Sequence, residues 1–336
     1  FTYGVSGLSI LTNFTFIWIS TTTITDQIGR YRYYMIGFAV MDIIVSIIHV
    51  IVMPGIQLTA VGYIFFGYNL VDKPEIVCTW AVTLFVIFFY QTTIVLAFHY
   101  CYRYAVVCSP AWSRIFTRNT TFWWSFVTSI VQMLYIFGYF VVVQVGFMPS
   151  DHKIALYRQV VLENNDLDIL RIHSGYLAVI FRSMDPSLPA VWQTDAIISM
   201  SIAIGLFFHT AVVIIVCSVL IRRKLRIGFN IMSAQMRATQ HQLLKALIIQ
   251  TLVPTLLTYT PLGMVFVVPF MGLNLTGVYG DLSMMAPAIF PAIDPIIMLY
   301  FVGSYRSRIA NMLKRLNTTP VKGIQDTQSH NYFTLS

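Results

Sequence analysis

The residues of this chain best suited to chemistry are few, and most sit inside or at the end of long apolar runs. Arg103 stands between Tyr102 and Tyr104 where "VCTWAVTLFVIFFYQTTIVLAF" ends, with Pro110 seven residues on. Asp42 lies within "AVMDIIVS", Asp294 just before Pro295 in "IDPII", and Asn13 in the first apolar stretch. An ionisable group in such sequence is expensive to place and is a functional candidate by default. The chemistry open to it is binding and switching. No nucleophile–base pattern and no His/Asp pair at ligand spacing is present, so no enzyme activity, cofactor or metal is expected. His49 and His209 lack a second ligand at metal spacing and read as interior histidines. Cys78, Cys101, Cys108 and Cys217 fit neither a disulfide framework nor a metal spacing.

The elements that must position these groups follow from composition. Of 336 residues, 57% are hydrophobic and only 10% charged, where soluble domains carry about 25% charge. Mean hydropathy is +0.73. Apolar stretches long enough to span a bilayer recur, roughly at 1–20, 34–55, 76–100, 122–147, 193–220, 242–269 and 283–303, the first being more polar than the rest. The expected fold is an all-α membrane protein, a seven-transmembrane helix bundle. No cleavable signal peptide is visible, and the first helix is expected to act as its own insertion signal. A short amphipathic helix over 304–316 puts Ile309, Met312, Leu313 and Leu316 on one face. The tail 317–336 is polar and expected to be disordered. Loop 56–75 is short, aromatic and Gly-rich. Segment 148–192 is the one large polar connection. A helix over "HKIALYRQVVLENN" and a strand over "YLAVIF" are expected there, in a lid rather than a separate domain.

The net charge of +8 is distributed, not clustered for nucleic acid. Segments 21–33, 101–121, 221–245 and 304–336 hold sixteen of the 21 Lys and Arg and only two acids, Asp26 and Asp326. This asymmetry predicts an outer N-terminus and a cytoplasmic C-terminus. The basic face meets anionic membrane lipid and cytosolic partners. Arg103 lies 25 residues beyond Cys78, about 37 Å along a helix, against a hydrocarbon layer of about 30 Å. With Cys78 at the outer edge, Arg103 reaches the inner edge and snorkels to water. Tyr102 and Tyr104 join the interfacial aromatic band. That much describes a plain interfacial anchor.

Pro254 and Pro261 interrupt the sixth helix, giving either a fixed bend or a pivot. The outer half of the bundle offers Phe85, Phe89, Tyr90, Thr255, Thr258, Tyr259 and Met284. An apolar aromatic cavity with a few hydroxyls suits a small, weakly polar compound; for each of these residues taken singly, core packing is the competing role.

Three stretches, "YRYAVVCSP", "HQLLKALIIQTLVPTLLTYTPLGMVFVVPFMGLNL" and "FPAIDPIIMLYFVGSYR", together resemble the nematode seven-transmembrane chemoreceptors of the Str class, the class of the diacetyl odorant receptor. Arg103, Tyr104 and Pro110 match the motif at the inner end of the third helix in G-protein-coupled receptors. The resemblance runs from the first helix to the inner-surface helix. It implies a receptor in the plasma membrane of a sensory-neuron cilium that binds a small-molecule odorant or chemical cue and activates a heterotrimeric G protein. By position, Arg103 would contact the G protein when the sixth helix swings outward. Tyr102, Tyr104, Arg222, Arg223, Arg226, Lys245 and Arg306 would frame that cavity.

The departures from the family pattern carry expectations of their own. Tyr102 stands where rhodopsin-like receptors carry an acid, so whatever holds Arg103 at rest must differ. Asp294-Pro295 replaces the common Asn-Pro. Asp294, Asp42 and Asn13 either share hydrogen bonds and a proton or water, as a polar switch, or form a static packing cluster. Segment 148–192 has no cysteine to pair with Cys78, so the lid is held by packing and charge pairs or is mobile. Asn274 lies in an outer "NLT" sequon and is a glycosylation candidate. The alternative function, a ligand-gated channel or small-solute transporter, needs pore-lining polar rings or paired broken helices, which the sequence does not display.

Overall fold

A backbone surrounded by hydrocarbon must satisfy its own hydrogen bonds, so helices dominate. The computed structural model describes residues 1–23, 31–108, 120–182, 191–227, 234–273 and 277–318. Pro110, Asn274 and the tail beyond 318 lie outside the described residues. The helices that form the bundle are α1 (Thr2–Thr22), α2 (Tyr31–Val52), α3 (Glu75–Cys108), α4 (Thr120–Val142), α6 (Thr194–Ile227), α7 (Ala234–Pro254), α8 (Thr260–Phe270) and α9 (Gly277–Phe301). Helix α5 (Asp151–Asn165) lies in the 148–192 segment, and α10 (Gly303–Thr318) follows α9. The seven rods are α1, α2, α3, α4, α6, the α7–α8 pair and α9. Six are long and apolar enough to cross a membrane; α1 is the more polar one.

Helices α3 and α9 are the most buried and form the centre. Helix α3 packs on α2, α4 and α6, and α9 on α1, α2 and α7. The outer faces of α4 and α6 expose large apolar side chains such as Phe137 and Phe208, as lipid-facing surfaces do. Both α3 and α6 run about two turns past the spans expected for them, so Arg103 lies inside a helix rather than at its end.

The break in the sixth rod is a π turn, Thr255–Tyr259, between the two prolines. The Thr260 N–H bonds to Thr255 O, five residues back, and Thr260 Oγ1 donates to the same oxygen at 2.7 Å. Pro261 has no N–H, and a π turn re-pairs the carbonyls that a proline frees. A second π turn, Val143–Phe147, ends α4.

The bundle is capped at one end by a three-stranded antiparallel sheet, β1 (Pro54–Leu58), β2 (Gly62–Gly67) and β3 (Tyr176–Ile180), in the order β1-β2-β3. The sequence led us to expect the helix and the strand of the 148–192 segment, and both are found. It did not lead us to expect that loop 56–75 begins as a hairpin onto which the strand docks. Every strand residue is buried. Tyr63, Phe65, Leu177 and Val179 face the bundle; Ile64, Phe66, Tyr176, Ala178 and Ile180 face α5. The two-residue alternation places both faces in apolar surroundings, which is why these strands read as unbroken apolar runs. Gly62 permits the closest approach: a Cβ there would lie 1.9 Å from Val179 O and 2.6 Å from the Tyr157 hydroxyl.

Pairing of β2 with β3 holds the lid, beside the packing and charge pairs that the sequence led us to expect. Tyr157 donates to Val179 O at 2.8 Å, and Lys153 Nζ donates to Gly146 O and Met148 O. At the rim, Arg171 pairs with Asp72, Arg158 with Asp168, and Ser174 donates to Glu75. All four cysteines are free thiols; the buried Cys78 Sγ lies 3.5 Å from Leu70 O.

Candidate functional site

Three groupings stand along the bundle: one around Arg103, one at mid-depth, and one beneath the sheet. At the arginine end, α3 carries His99 and Arg103 one turn apart on the same face. Arg103 is only 2% exposed. The expectation that it snorkels to water is corrected, because α2 and α7 close over it. Its Cζ lies 5.3 Å from the centre of the Tyr31 ring, and Nη2 donates to Gln240 O at 3.2 Å. Its Nε has no partner. Among the described residues, no carboxylate pairs with it. Tyr31, at the start of α2, is fixed by its hydroxyl against His99 Nδ1 at 3.2 Å. His99 Nε2 in turn meets Tyr34 O at 3.1 Å.

Tyr102 is buried and stacks on Tyr31 at 5.6 Å and against Tyr34 at 4.7 Å. It belongs to the interior and not, as the sequence led us to expect, to the interfacial aromatic band. Tyr104 is half-buried against the α3–α6 contact. Arg222, Arg223, Arg226, Lys245 and Arg306 are exposed at this same end, with Lys245 Nζ 5.2 Å above the Phe301 ring. A desolvated cation–π contact contributes about 2 kcal/mol, and a hydrogen bond to a charged group about 1.5–3 kcal/mol. Burying an ion costs several kcal/mol. With Nε unpartnered, Arg103 is held but under-compensated.

At mid-depth, Pro295 has no N–H to offer Pro291 O, the acceptor four residues back. Asn13 Nδ2 donates to that freed carbonyl at 2.8 Å, tying α1 to α9. Asp294 Oδ1 accepts from Gln250 Nε2 at 2.8 Å, tying α9 to α7. Both carboxyl oxygens of the fully buried Asp42 lack a partner. Ser46 Oγ donates to Asp42 O at 2.8 Å and accepts from Ser9 Oγ at 2.7 Å, or gives its one proton to Ser9 Oγ instead. Asn13, Asp42 and Asp294 therefore do not bond to one another; each helix pair has its own link, and the two carboxyls are electrostatic neighbours. Gln250, Ser9 and Ser46 were not singled out from sequence. An intramembrane glutamine was the available signal for the first.

Under the sheet lies a chamber of about 60 Å³ lined by Phe85, Phe89, Tyr90, Met284, Phe147 and Phe266 from the bundle and by Ile56, Tyr63, Phe65 and Leu177 from the strands. Phe65, Phe85 and Phe89 stack in series, with centroids 5.1 and 6.1 Å apart. Tyr259 lines an adjoining cavity with Tyr90, its hydroxyl 3.2 Å from Thr92 Oγ1. Of the seven expected ligand residues, the structure gathers Phe85, Phe89, Tyr90 and Met284 in the chamber and Tyr259 beside it. Thr258 is buried and lines neither space. Thr255 is exposed on the helix surface, donating to Thr251 O at 2.6 Å, and is not placed with the others. The strand residues were missed because the hairpin was not expected. His49 packs against the Phe85 ring, and His209 bonds to Tyr135.

The family model described as serpentine type 7TM GPCR chemoreceptor Str matches residues 1–310. Among curated proteins, the chain is 25% identical over 294 residues to Serpentine receptor class r-10 of Caenorhabditis elegans, covering 85% of this chain and 82% of that one. It is 23% identical over 284 residues to Serpentine receptor class r-10 of Caenorhabditis briggsae, covering 84% and 81%. Serpentine receptor class J-38 of Caenorhabditis elegans matches at 23% identity over 331 residues, covering 93% and 92%. Among solved structures, squid rhodopsin superposes with a TM-score of 0.61 at 13% identity, covering 94% of this chain and 83% of that one. This last likeness is one of fold.

Proposed function

We propose a function for a chain that belongs to the Str family of serpentine 7TM GPCR chemoreceptors: it binds a small, weakly polar molecule beneath the sheet and activates a heterotrimeric G protein at the arginine end. It is a multi-pass membrane receptor. In this reading the sheet and the Asn274 sequon face outside, and the C-terminus faces the cytosol of a sensory-neuron cilium. The concentration of Lys and Arg in the connections at the arginine end supports that orientation.

The observation that carries the coupling role is the burial of Arg103 against Tyr31 and Gln240 O, with Nε unpartnered. A cation so held gains partners when α7 moves away and a protein acceptor arrives. The π turn between α7 and α8 supplies the pivot, and Gln250–Asp294 lets α9 sense α7. Ligand contact with Tyr90 and Phe266 reaches the α8 side of that pivot. The exposed Arg222, Arg223, Arg226, Lys245 and Arg306 would meet the acidic and polar surface of the G protein. The likeness to the diacetyl odorant receptor belongs with this reading and makes small ketones the first compounds to try.

The test is guanine-nucleotide exchange on added heterotrimeric G proteins, set against current across a bilayer holding the purified receptor, during a screen of small volatile compounds. Compound-dependent exchange is expected. Compound-dependent current without exchange would overturn the proposal.

A further inference from the structure

We propose that the ligand enters sideways, from the bilayer, through a groove between α6 and α8, and hence that the receptor takes apolar compounds that partition into lipid. This rests on the chamber being the ligand site. Three strands cover the chamber, buried on both faces beneath α5, so a path from the polar side through them requires breaking strand pairing. On the membrane side the situation is reversed. Two spaces, of about 260 and 310 Å³, lie between α6 and α8 and share Met200, Ile204, Phe266 and Val267. Gly263 on α8 lines the first of them, and the room beside it is open: a Cβ there would meet nothing within 4 Å.

The groove adjoins the chamber across shared walls. Tyr90, Leu262 and Phe266 line both. The Phe266 and Tyr90 rings thus stand between a wide apolar mouth and a narrow interior. The occupant follows from size and polarity. The mouth is lined almost wholly by apolar groups, with the Tyr259 hydroxyl at its base, and rejects a charged or strongly hydrated molecule. The interior, at about 60 Å³, is too small for a phospholipid acyl chain. A small apolar molecule dissolved in the bilayer fits the mouth as it stands and the interior once the Phe266 and Tyr90 rings move aside. Partitioning concentrates such a molecule at the mouth by about 0.8 kcal/mol per methylene. The adjacent π turn is the break in the rod at which α8 can swing to widen the gap.

The experiment uses the full chain in phosphatidylcholine nanodiscs, with a pentyl diazirine dissolved in the bilayer and light flashes at increasing delays after its addition. Adducts are mapped by mass spectrometry at Phe85, Phe89 and Met284 in the chamber. Adducts at the lipid-facing Phe137 and Phe208 serve as the reference for dose and folding. In the unmodified receptor, chamber adducts should form. Gly263→Trp should slow their appearance about tenfold, equivalent to about 1.4 kcal/mol of added barrier. Ile204→Ala, which widens the mouth, should speed it. Chamber adducts that form at an unchanged rate in both variants would overturn the lateral route and leave the chamber standing. Labelling confined to Phe137 and Phe208 in the unmodified receptor would overturn the chamber as the ligand site and the route with it. Should Gly263→Trp fail to fold, the Ile204→Ala arm decides alone: no acceleration refutes the route.

Discussion

The Arg103 guanidinium carbon sits 5.3 Å above the Tyr31 ring, and this contact between α3 and α2 stands where a carboxylate would hold a buried cation. The ring is itself fixed by His99 on α3, so one helix supplies both the cation and the clamp that orients its partner. The guanidinium Nη2 donates to a backbone carbonyl of α7. Movement of α7 therefore changes the surroundings of Arg103 directly, with no side chain in between.

Replacing Arg103 separates coupling from folding. Substituting a buried ion by an apolar side chain of similar volume is often neutral or stabilising. Arg103→Met is expected to leave surface expression and compound binding nearly intact and to keep the melting temperature equal or higher. Nucleotide exchange on G protein should fall to near background. Unchanged exchange would make Arg103 a structural residue only.

The lid should depend on its strand pairing far more than on its rim ion pairs. Gly62→Ala forces a Cβ into Val179 O and the Tyr157 hydroxyl and is expected to abolish amide-exchange protection across 176–180. Tyr157→Phe removes one buried hydrogen bond, about 1 kcal/mol, and should speed exchange there severalfold. Asp72→Asn should change little, since Asp72 and Arg171 are both exposed.

The pH dependence of the lid follows with a definite sign. Hydrogen bonding from Arg171 holds the Asp72 carboxyl below the usual range, and Arg158 does the same for Asp168. A lowered folded-state value gives stability that is present above the unfolded value and lost as pH falls through the folded one. Lid protection should be flat around neutrality and decline only below about pH 4, where free aspartate begins to protonate. A decline between pH 6 and 7 would point to a different titrating group.

The parts of this structure legible in sequence are those set by the bilayer. Spans of apolar residues, the break at Pro254 and Pro261, the α5 helix and the strand after it all follow from local pattern. The hairpin does not, because "GYIFFG", which pairs with the legible strand "YLAVIF", is buried on both faces and loses the two-residue alternation that marks a strand. Their pairing also joins residues more than a hundred apart. At the candidate sites, Phe85 and Phe89 were legible as a one-turn pair. Tyr31 and Gln240 were not, since one is an ordinary helix-start tyrosine and the other contributes only its carbonyl. Thr255 misleads because its hydroxyl is satisfied by Thr251 O, a local bond that leaves it free to face outward.

Cys78, which has no cysteine in the 148–192 segment to pair with, is a free, buried thiol. Serine reproduces its weak donation to Leu70 O. Cys78→Ser should preserve surface expression within about twofold, a change of less than about 1 kcal/mol. A severe loss of expression would mean that this thiol has a covalent partner.

At mid-depth, the contrast between Asn13 and Asp42 is testable by melting temperature. Asn13→Leu removes the donor to the carbonyl freed by Pro295 and should destabilise by about 1–3 kcal/mol. Asp42→Leu removes no side-chain hydrogen bond and should be neutral or stabilising. Equal losses in both would show that Asp42 has a partner in the working receptor.

Basal nucleotide exchange in Tyr31→Leu, compared with Tyr31→Phe, bears most directly on how Arg103 is held. Leucine removes the ring face beneath the cation, and phenylalanine keeps it while losing the His99 bond. Loss of a contact worth about 2 kcal/mol shifts the closed state toward the open one by about thirtyfold. Exchange without added compound should therefore rise about that much in Tyr31→Leu and change little in Tyr31→Phe. Basal exchange at or below the unmodified level in well-expressed Tyr31→Leu would contradict a tyrosine-held arginine.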